Sequence, residues 1–301
     1  MTTPLKIDQL CKKYGNLCAV NKASFEVREG EVFGLLGPNG AGKTSIISCI
    51  TGLEQASSGE ISVFGEEVSK NPRACSAVTG VVPQEIINHG YFSVEEILQF
   101  HSGYYGYLRN TERIHFLLKR LALWEHRNKK VKQLSGGMKR RLMIAKSLVH
   151  WPRLLLLDEP TAGVDIELRA NLWDFVRELK EQGISVLLTT HYIEEAEELC
   201  DRVGILQHGR MRRCGETQAL IKELTKRRFV IHLRQPVETI SHLDIESQDD
   251  EKLVISVPSN MGAGDLMSQL NIDLHLVRDI SIQEGKLEDV LHSVLGASNV
   301  D

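Results

Sequence analysis

Gly37-Pro38-Asn39-Gly40-Ala41-Gly42-Lys43-Thr44-Ser45 is a glycine-rich loop closed by Lys-Thr-Ser. Before it runs Val32-Phe33-Gly34-Leu35-Leu36, apolar throughout and of the length of a buried strand. After it comes Ile46-Ile47-Ser48-Cys49-Ile50, which suits a helix. Strand, glycine loop, Lys-Thr and helix in that order make a phosphate-binding loop. The chemistry explains the residues. Backbone N–H groups must point inward at phosphate oxygens, and side chains would block that approach. The helix that follows presents unsatisfied N–H groups and the positive end of its dipole. All nine residues are therefore candidates for contact with a nucleotide. Lys43 would reach its terminal phosphates, and the Thr44 hydroxyl would bind Mg²⁺.

Composition sets the frame around that loop. A chain of 301 residues holds one large domain, or one large and one small. Apolar content of 42% and charged content of 25% are those of a soluble globular protein. A net charge of −4 argues against a nucleic-acid-binding surface. Three short basic runs, Arg127 to Lys132, Lys139-Arg140-Arg141 and Lys226-Arg227-Arg228, are expected to be solvated faces. The six cysteines (11, 18, 49, 75, 200 and 214) form no C-x-x-C pair, so free thiols in a reducing compartment are expected. Met1 to Lys6 does not read as a signal peptide. No apolar run reaches the roughly 18–20 residues of a bilayer span. The expectation is a cytoplasmic protein whose membrane contact comes through a partner.

Several further stretches point to one sheet edge. Lys6 to Leu10 and Ala23 to Val27 read as strands, with Lys12-Lys13-Tyr14-Gly15 expected to break the first. Tyr14, upstream of the loop, is a candidate ring to stack on a base. Thr79-Gly80-Val81-Val82-Pro83 is a strand ending before Gln84. The carboxyl edge of a parallel sheet is where ligands sit. Gln84 there could give an oxygen to Mg²⁺ or orient a water, and it also fits a plain surface residue.

Arg153-Leu154-Leu155-Leu156-Leu157-Asp158-Glu159-Pro160 is the second strong signal. The leucines make a strand buried on both faces, and two carboxylates at its end need a reason to be there. Asp158 would hold Mg²⁺. Glu159 points elsewhere and suits a general base for water. Ser185 to Thr190 is another buried strand, and His191 at its end is placed for a γ-phosphate contact. Thr161 to Asp165 reads as a loop, with Asp165 able to cap a helix starting near Ile166.

Between the two motifs, residues 85–150 change to helical periodicity, with Val94, Ile97, Leu98, Ile114, Leu117, Leu118 and Leu121 recurring. This reads as an inserted helical subdomain. Tyr91, Phe92, Phe100, Tyr104, Tyr105 and Tyr107 crowd its start, either as its core or as a groove for a partner. Leu134-Ser135-Gly136-Gly137-Met138 precedes a helix from Lys139 to Val149. Ser135 is placed as its cap, and the glycines allow close approach of an anion. The turn also fits an ordinary capped helix, and it would not reach a nucleotide on the chain's own loop unless the chain dimerised.

Taken together, Tyr14, residues 37–45, Gln84, 134–137, 154–159, the loop to Asp165 and His191 resemble an ABC-transporter ATP-binding subunit. They match, in order, its A-loop, Walker A, Q-loop, signature, Walker B, D-loop and H-loop, across roughly residues 5–225. The sequences at 34–44 and 160–165, and the tail after Arg227, further resemble ATPases of ABC-2-type exporters. That group includes drug-resistance and nodulation-factor exporters. Met138 departs from the pattern, standing where the signature usually has Gln.

The resemblance implies a P-loop α/β fold with ATP and Mg²⁺ as ligands. It implies ATP hydrolysis that powers export through a separate integral membrane permease subunit. It also implies a head-to-tail homodimer, each ATP lying between one chain's loop and the other's Ser135-Gly136-Gly137. The chain would then be peripheral on the inner face of the cell membrane. Residues 226–301 read as a small α+β accessory domain, with dimer support and regulation both open as roles. A ribosome- or DNA-acting ATPase fits less well, since the chain carries one cassette, no long coiled coil and an acidic balance. A non-hydrolysing module would be expected to lack Lys43, Asp158 or Glu159, and all three are present.

Overall fold

The structure is a computed structural model that describes residues 2–85, 90–161, 166–235, 245–249, 251–259, 261–270 and 273–296. Contacts divide the chain into two compact units, Met1–Cys214 and Gly215–Asp301.

The first unit opens with β1 (Leu5–Tyr14), β2 (Leu17–Val27) and β3 (Val32–Leu36), then α1 (Lys43–Ile50). Next come β4 (Ser58–Val63), β5 (Glu66–Glu67), α2 (Pro72–Ala77) and β6 (Thr79–Val82). The helical insertion holds α3 (Val94–Tyr104), α4 (Thr111–Arg120) and α5 (Gly136–Leu148). The chain returns through β7 (Leu154–Asp158), α6 (Ile166–Glu181), β8 (Ser185–Thr190), α7 (Ile193–Leu199), β9 (Arg202–Gln207) and β10 (Arg210–Glu216).

Two sheets result, ordered β2-β1-β4-β5 and β10-β9-β3-β8-β7-β6. In the larger, β6, β7, β8, β3 and β9 run parallel. Leu154 to Leu157 are fully buried, as helices on both faces require of a central parallel strand. Each such leucine contributes about 1.5–3 kcal/mol by burial. Between the sheets lies α1, whose Ile46, Ile47 and Ile50 pack in one core with Leu5, Ile7, Leu35 and Leu156. Phe25 and Phe33 stack at 5.1 Å within it. The helix behind the glycine loop is thus clamped on two sides.

The expected break at Lys12-Lys13-Tyr14 does not occur. β1 continues to Tyr14, paired as Lys12↔Val20, Lys13↔Cys18 and Tyr14↔Leu17. Register shifts absorb the irregular polar stretch, with Gln9 at φ 49°. Lys12 is buried because its ammonium donates to Glu54 at 2.7 Å and to the Gln55 carbonyl at 2.9 Å.

In the insertion, Ser93 starts α3 with a capping box to Glu96. The core there is aliphatic: Val94, Leu98, Ile114, Leu117, Leu118 and Leu142. Of the aromatics at its start, Tyr105 stacks on His150 at 3.7 Å. Tyr91 and Tyr104 are 82% and 84% exposed, and Phe92, Phe100 and Tyr107 are exposed as well. The cluster faces solvent rather than filling the subdomain.

The second unit comprises α8 (Thr217–Leu224), β11 (Lys226–Leu233), β12 (Ile245–Gln248), β13 (Lys252–Pro258), α9 (Ala263–Leu270), β14 (Val277–Gln283) and α10 (Leu287–Gly296). Its antiparallel sheet is ordered β12-β13-β11-β14. Phe229, Ile231, Leu253, Ile255, Leu266 and Leu270 form a separate core. The unit starts at Gly215, ahead of the expected boundary at 226, because α8 packs on α10. Leu274 to Leu276 make a 3₁₀ turn, and β14 follows it.

Candidate functional site

The glycine loop leaves β3 and enters α1 with no side-chain cap. Gly42 has φ 107°, and a Cβ there would lie 2.4 Å from the Ala19 carbonyl oxygen. Only glycine fits that combination. The loop is braced from outside, with Gly209 N–H donating to Ala41 O at 2.9 Å and Asn21 N–H to Gly209 O at 2.8 Å. Pro38, Asn39, Gly40 and Thr44 are exposed, whereas Lys43 is buried. Its Nζ donates to Gly37 O at 2.8 Å and Pro38 O at 3.3 Å.

Three side chains converge on one carboxylate. Lys43 Nζ stands 3.5 Å from Glu159 Oε1. Gln84 Nε2 donates to Glu159 Oε2 at 3.1 Å, and His191 Nδ1 is 3.3 Å from the same oxygen. These groups come from α1, the end of β6 and the end of β8. The parallel sheet alone brings them together, at its carboxyl edge. Glu159 is 7% exposed, so its charge depends on these partners.

The main chain at Glu159 is in the left-handed region, φ 47°. That conformation costs a non-glycine residue about 1–3 kcal/mol and persists where neighbours over-determine it. Here Glu159 N–H donates to Thr189 O at 3.0 Å and to Thr189 Oγ1 at 3.1 Å. Glu159 O accepts from Arg140 Nη2 at 2.7 Å. The same Thr189 hydroxyl donates to Asp158 Oδ1. Asp158 is 2% exposed.

Arg140 is the residue that the sequence expectation misplaced. Assigned to a solvated basic run, it is 5% exposed and donates only to backbone carbonyls. Burial pulls its pKa below the ordinary value, opposed by the charges of Asp158, Glu195 and Glu159. A signal was available. Arg140, Met143, Ile144 and Ser147 follow the i, i+3, i+4, i+7 pattern of one helix face, and all four are buried.

Other candidates lie apart from this cluster. Tyr14 sits at the turn of the β1–β2 hairpin, 41% exposed, with Lys12 Nζ 4.8 Å from its ring centre. Ser135 caps α5 through its hydroxyl, which accepts from Met138 N–H at 3.3 Å. Ser135 and Gly136 are exposed and Gly137 is half-buried. No hydrogen bond among the described residues joins this turn to Lys43 or Glu159. Residues 162–165, including Asp165, lie outside the described residues.

The oxygen donors suit magnesium. Thr44 hydroxyl, Asp158 carboxylate and the Gln84 amide oxygen are hard ligands of the kind Mg²⁺ takes. Gln84 spends its amide nitrogen on Glu159, which leaves the oxygen available.

The ABC transporter family description matches residues 20–162. The linearmycin resistance ATP-binding protein LnrL of Bacillus subtilis is 40% identical over 222 residues, covering 73% of this chain and 71% of that protein. The chain belongs to the ABC transporter family. The Nod factor export ATP-binding protein I of Rhizobium etli is 42% identical over 224 residues, 74% of this chain and 71% of its own. A solved ATP-binding subunit of an ABC transporter superposes with TM-score 0.69 at 29% identity, covering 73% of this chain and 93% of that one. The parallel-sheet unit with its glycine loop is therefore the ATP-binding unit of an ABC ATPase. No helix among the described residues is long and apolar enough to cross a membrane.

Proposed function

We propose that this chain is the ATP-hydrolysing subunit of an ABC-2-type exporter and works as a head-to-tail homodimer on the cytoplasmic face of a membrane permease. The observation that carries the reading is the convergence of Lys43, Gln84 and His191 on the Glu159 carboxylate. The first unit would be the nucleotide-binding domain and the second an accessory domain. Export is the role named for the Rhizobium relative, and linearmycin resistance the one named for the Bacillus relative.

The residues divide the work as follows. Residues 37–45 cradle the phosphates, and Tyr14 stacks on the base. Lys43 holds the terminal phosphates. A triphosphate carries more charge than one carboxylate, so it draws Lys43 off Glu159 and frees the base. Glu159 then takes the proton of the attacking water, and His191 contacts the γ-phosphate. Thr44, Asp158 and Gln84 would hold Mg²⁺, which when bound neutralises charge developing on the phosphates. Ser135, Gly136 and Gly137 supply a second helix N-terminus to the ATP of the opposing chain. ATP thereby links two chains, and hydrolysis unlinks them. The exposed aromatics near Tyr91 and Tyr104 form the face that would meet the permease and pass the motion on.

Glu159→Gln is the test. It removes the base while keeping the shape of the site. Turnover should fall by roughly 10²–10⁴-fold, with ATP still bound and a dimer accumulating on size-exclusion chromatography. Normal turnover, or a monomer with bound ATP, would refute the reading.

A further inference from the structure

Arg140 lies one helical turn into α5, four residues after Gly136. Its guanidinium spans the carboxyl ends of two strands. Nε donates to Pro160 O at 3.0 Å. Nη1 donates to Pro83 O at 2.6 Å and Gln84 O at 3.0 Å. Nη2 donates to Asp158 O at 3.0 Å and Glu159 O at 2.7 Å. All three nitrogens are engaged, and every acceptor is a main-chain carbonyl. A buried cation must be paid for in hydrogen bonds, and this one draws them all from the chain segments that carry Gln84 and Glu159.

We infer that Arg140 is a positioning residue for ATP hydrolysis, tying the start of α5 that faces the neighbour's nucleotide to the main chain that carries Gln84 and Glu159 of its own site. The inference rests on the head-to-tail reading proposed above. An α-helix is stiff over one turn, so a shift at Ser135-Gly136-Gly137 moves the guanidinium with it. The carbonyls at 83–84 and 158–160 follow, and they set the backbone on which the Glu159 carboxylate is aimed. The left-handed conformation at Glu159 (φ 47°) makes that aim sensitive. The guanidinium bonds its carbonyl from one side, and Thr189 holds its N–H from the other.

Lysine cannot copy the contact. Its ammonium is a compact point charge with three donors and cannot bridge five carbonyls from a planar fork. Arg140→Lys therefore keeps the charge and loses the geometry. In the full-length chain, it should lower kcat at least tenfold while leaving KM for ATP within about threefold. The thermal midpoint should stay within about 3 °C of wild type. Added to Glu159→Gln, it should slow the residual turnover no further, since the group it aims is already gone.

Unchanged kcat would overturn the inference. So would kcat, ATP affinity and thermal midpoint all falling together, which is the mark of a purely structural role. If Arg140→Lys does not fold, Arg140→Gln is judged by the same criteria, and failure of both to fold counts against it too. Glu159→Gln in the same assay separates the two claims. If that variant turns over normally, the site reading itself fails. If it is inactive while Arg140→Lys is normal, only the role of Arg140 fails.

Discussion

Lys43 shows how much a single side chain carries. It is 5% exposed, faces Glu159 at 3.5 Å and donates to two carbonyls of its own loop. Burying an ammonium is unfavourable unless anionic or dipolar partners surround it. The loop supplies dipoles and a phosphate would supply charge. A hydrogen bond to a charged group is worth about 1.5–3 kcal/mol. Lys43→Ala should therefore weaken ATP binding by roughly ten- to a hundredfold. Isothermal titration with ATP in the presence of Mg²⁺ measures this, and unchanged affinity would remove Lys43 from the phosphate site.

At the scale of elements, α5 performs two duties from its first turn. Ser135 caps the helix, and the same turn is proposed to meet the other chain's phosphates. The two duties are separable. Asp caps a helix as well as Ser does and adds a favourable charge at the N-terminus, but it would stand directly against a phosphate. Ser135→Asp should leave the thermal midpoint within about 2 °C of the parent while abolishing the ATP-dependent dimer in the Glu159→Gln background. Size-exclusion chromatography with ATP reads the result. A dimer as abundant as the parent's would reduce Ser135 to a cap.

At the scale of the whole molecule, two of the cores among the described residues share no residue. One surrounds α1 between its two sheets, and the other lies between α9 and the sheet of the second unit. A unit with its own core and sheet should fold by itself. Residues 1–214 expressed alone should bind ATP with an affinity within about threefold of the full chain. Residues 215–301 alone should give a dispersed amide NMR spectrum and a cooperative thermal transition. A fragment lacking either property would mean that its core is completed by the other unit.

Much of this was written locally in the chain. The glycine loop, the leucine strand ending in Asp158-Glu159 and the Ser135 cap are each set by residues within about one turn or strand of one another. Their geometry follows from φ freedom, burial on two faces and the need to satisfy helix-end N–H groups. What required the folded chain was everything that joins distant segments. Glu159 finds Lys43, Gln84 and His191 only because the parallel sheet orders β3, β8, β7 and β6 side by side. Lys12-Lys13-Tyr14 remains a strand because β2 and Glu54 accommodate it across the hairpin and beyond. Arg140 looks like a surface charge in a basic run, and becomes a buried staple because five carbonyls from two segments, 83–84 and 158–160, meet around it. A charge's place, inside or outside, is settled by the partners the fold delivers to it, and those partners lie tens of residues away in the chain.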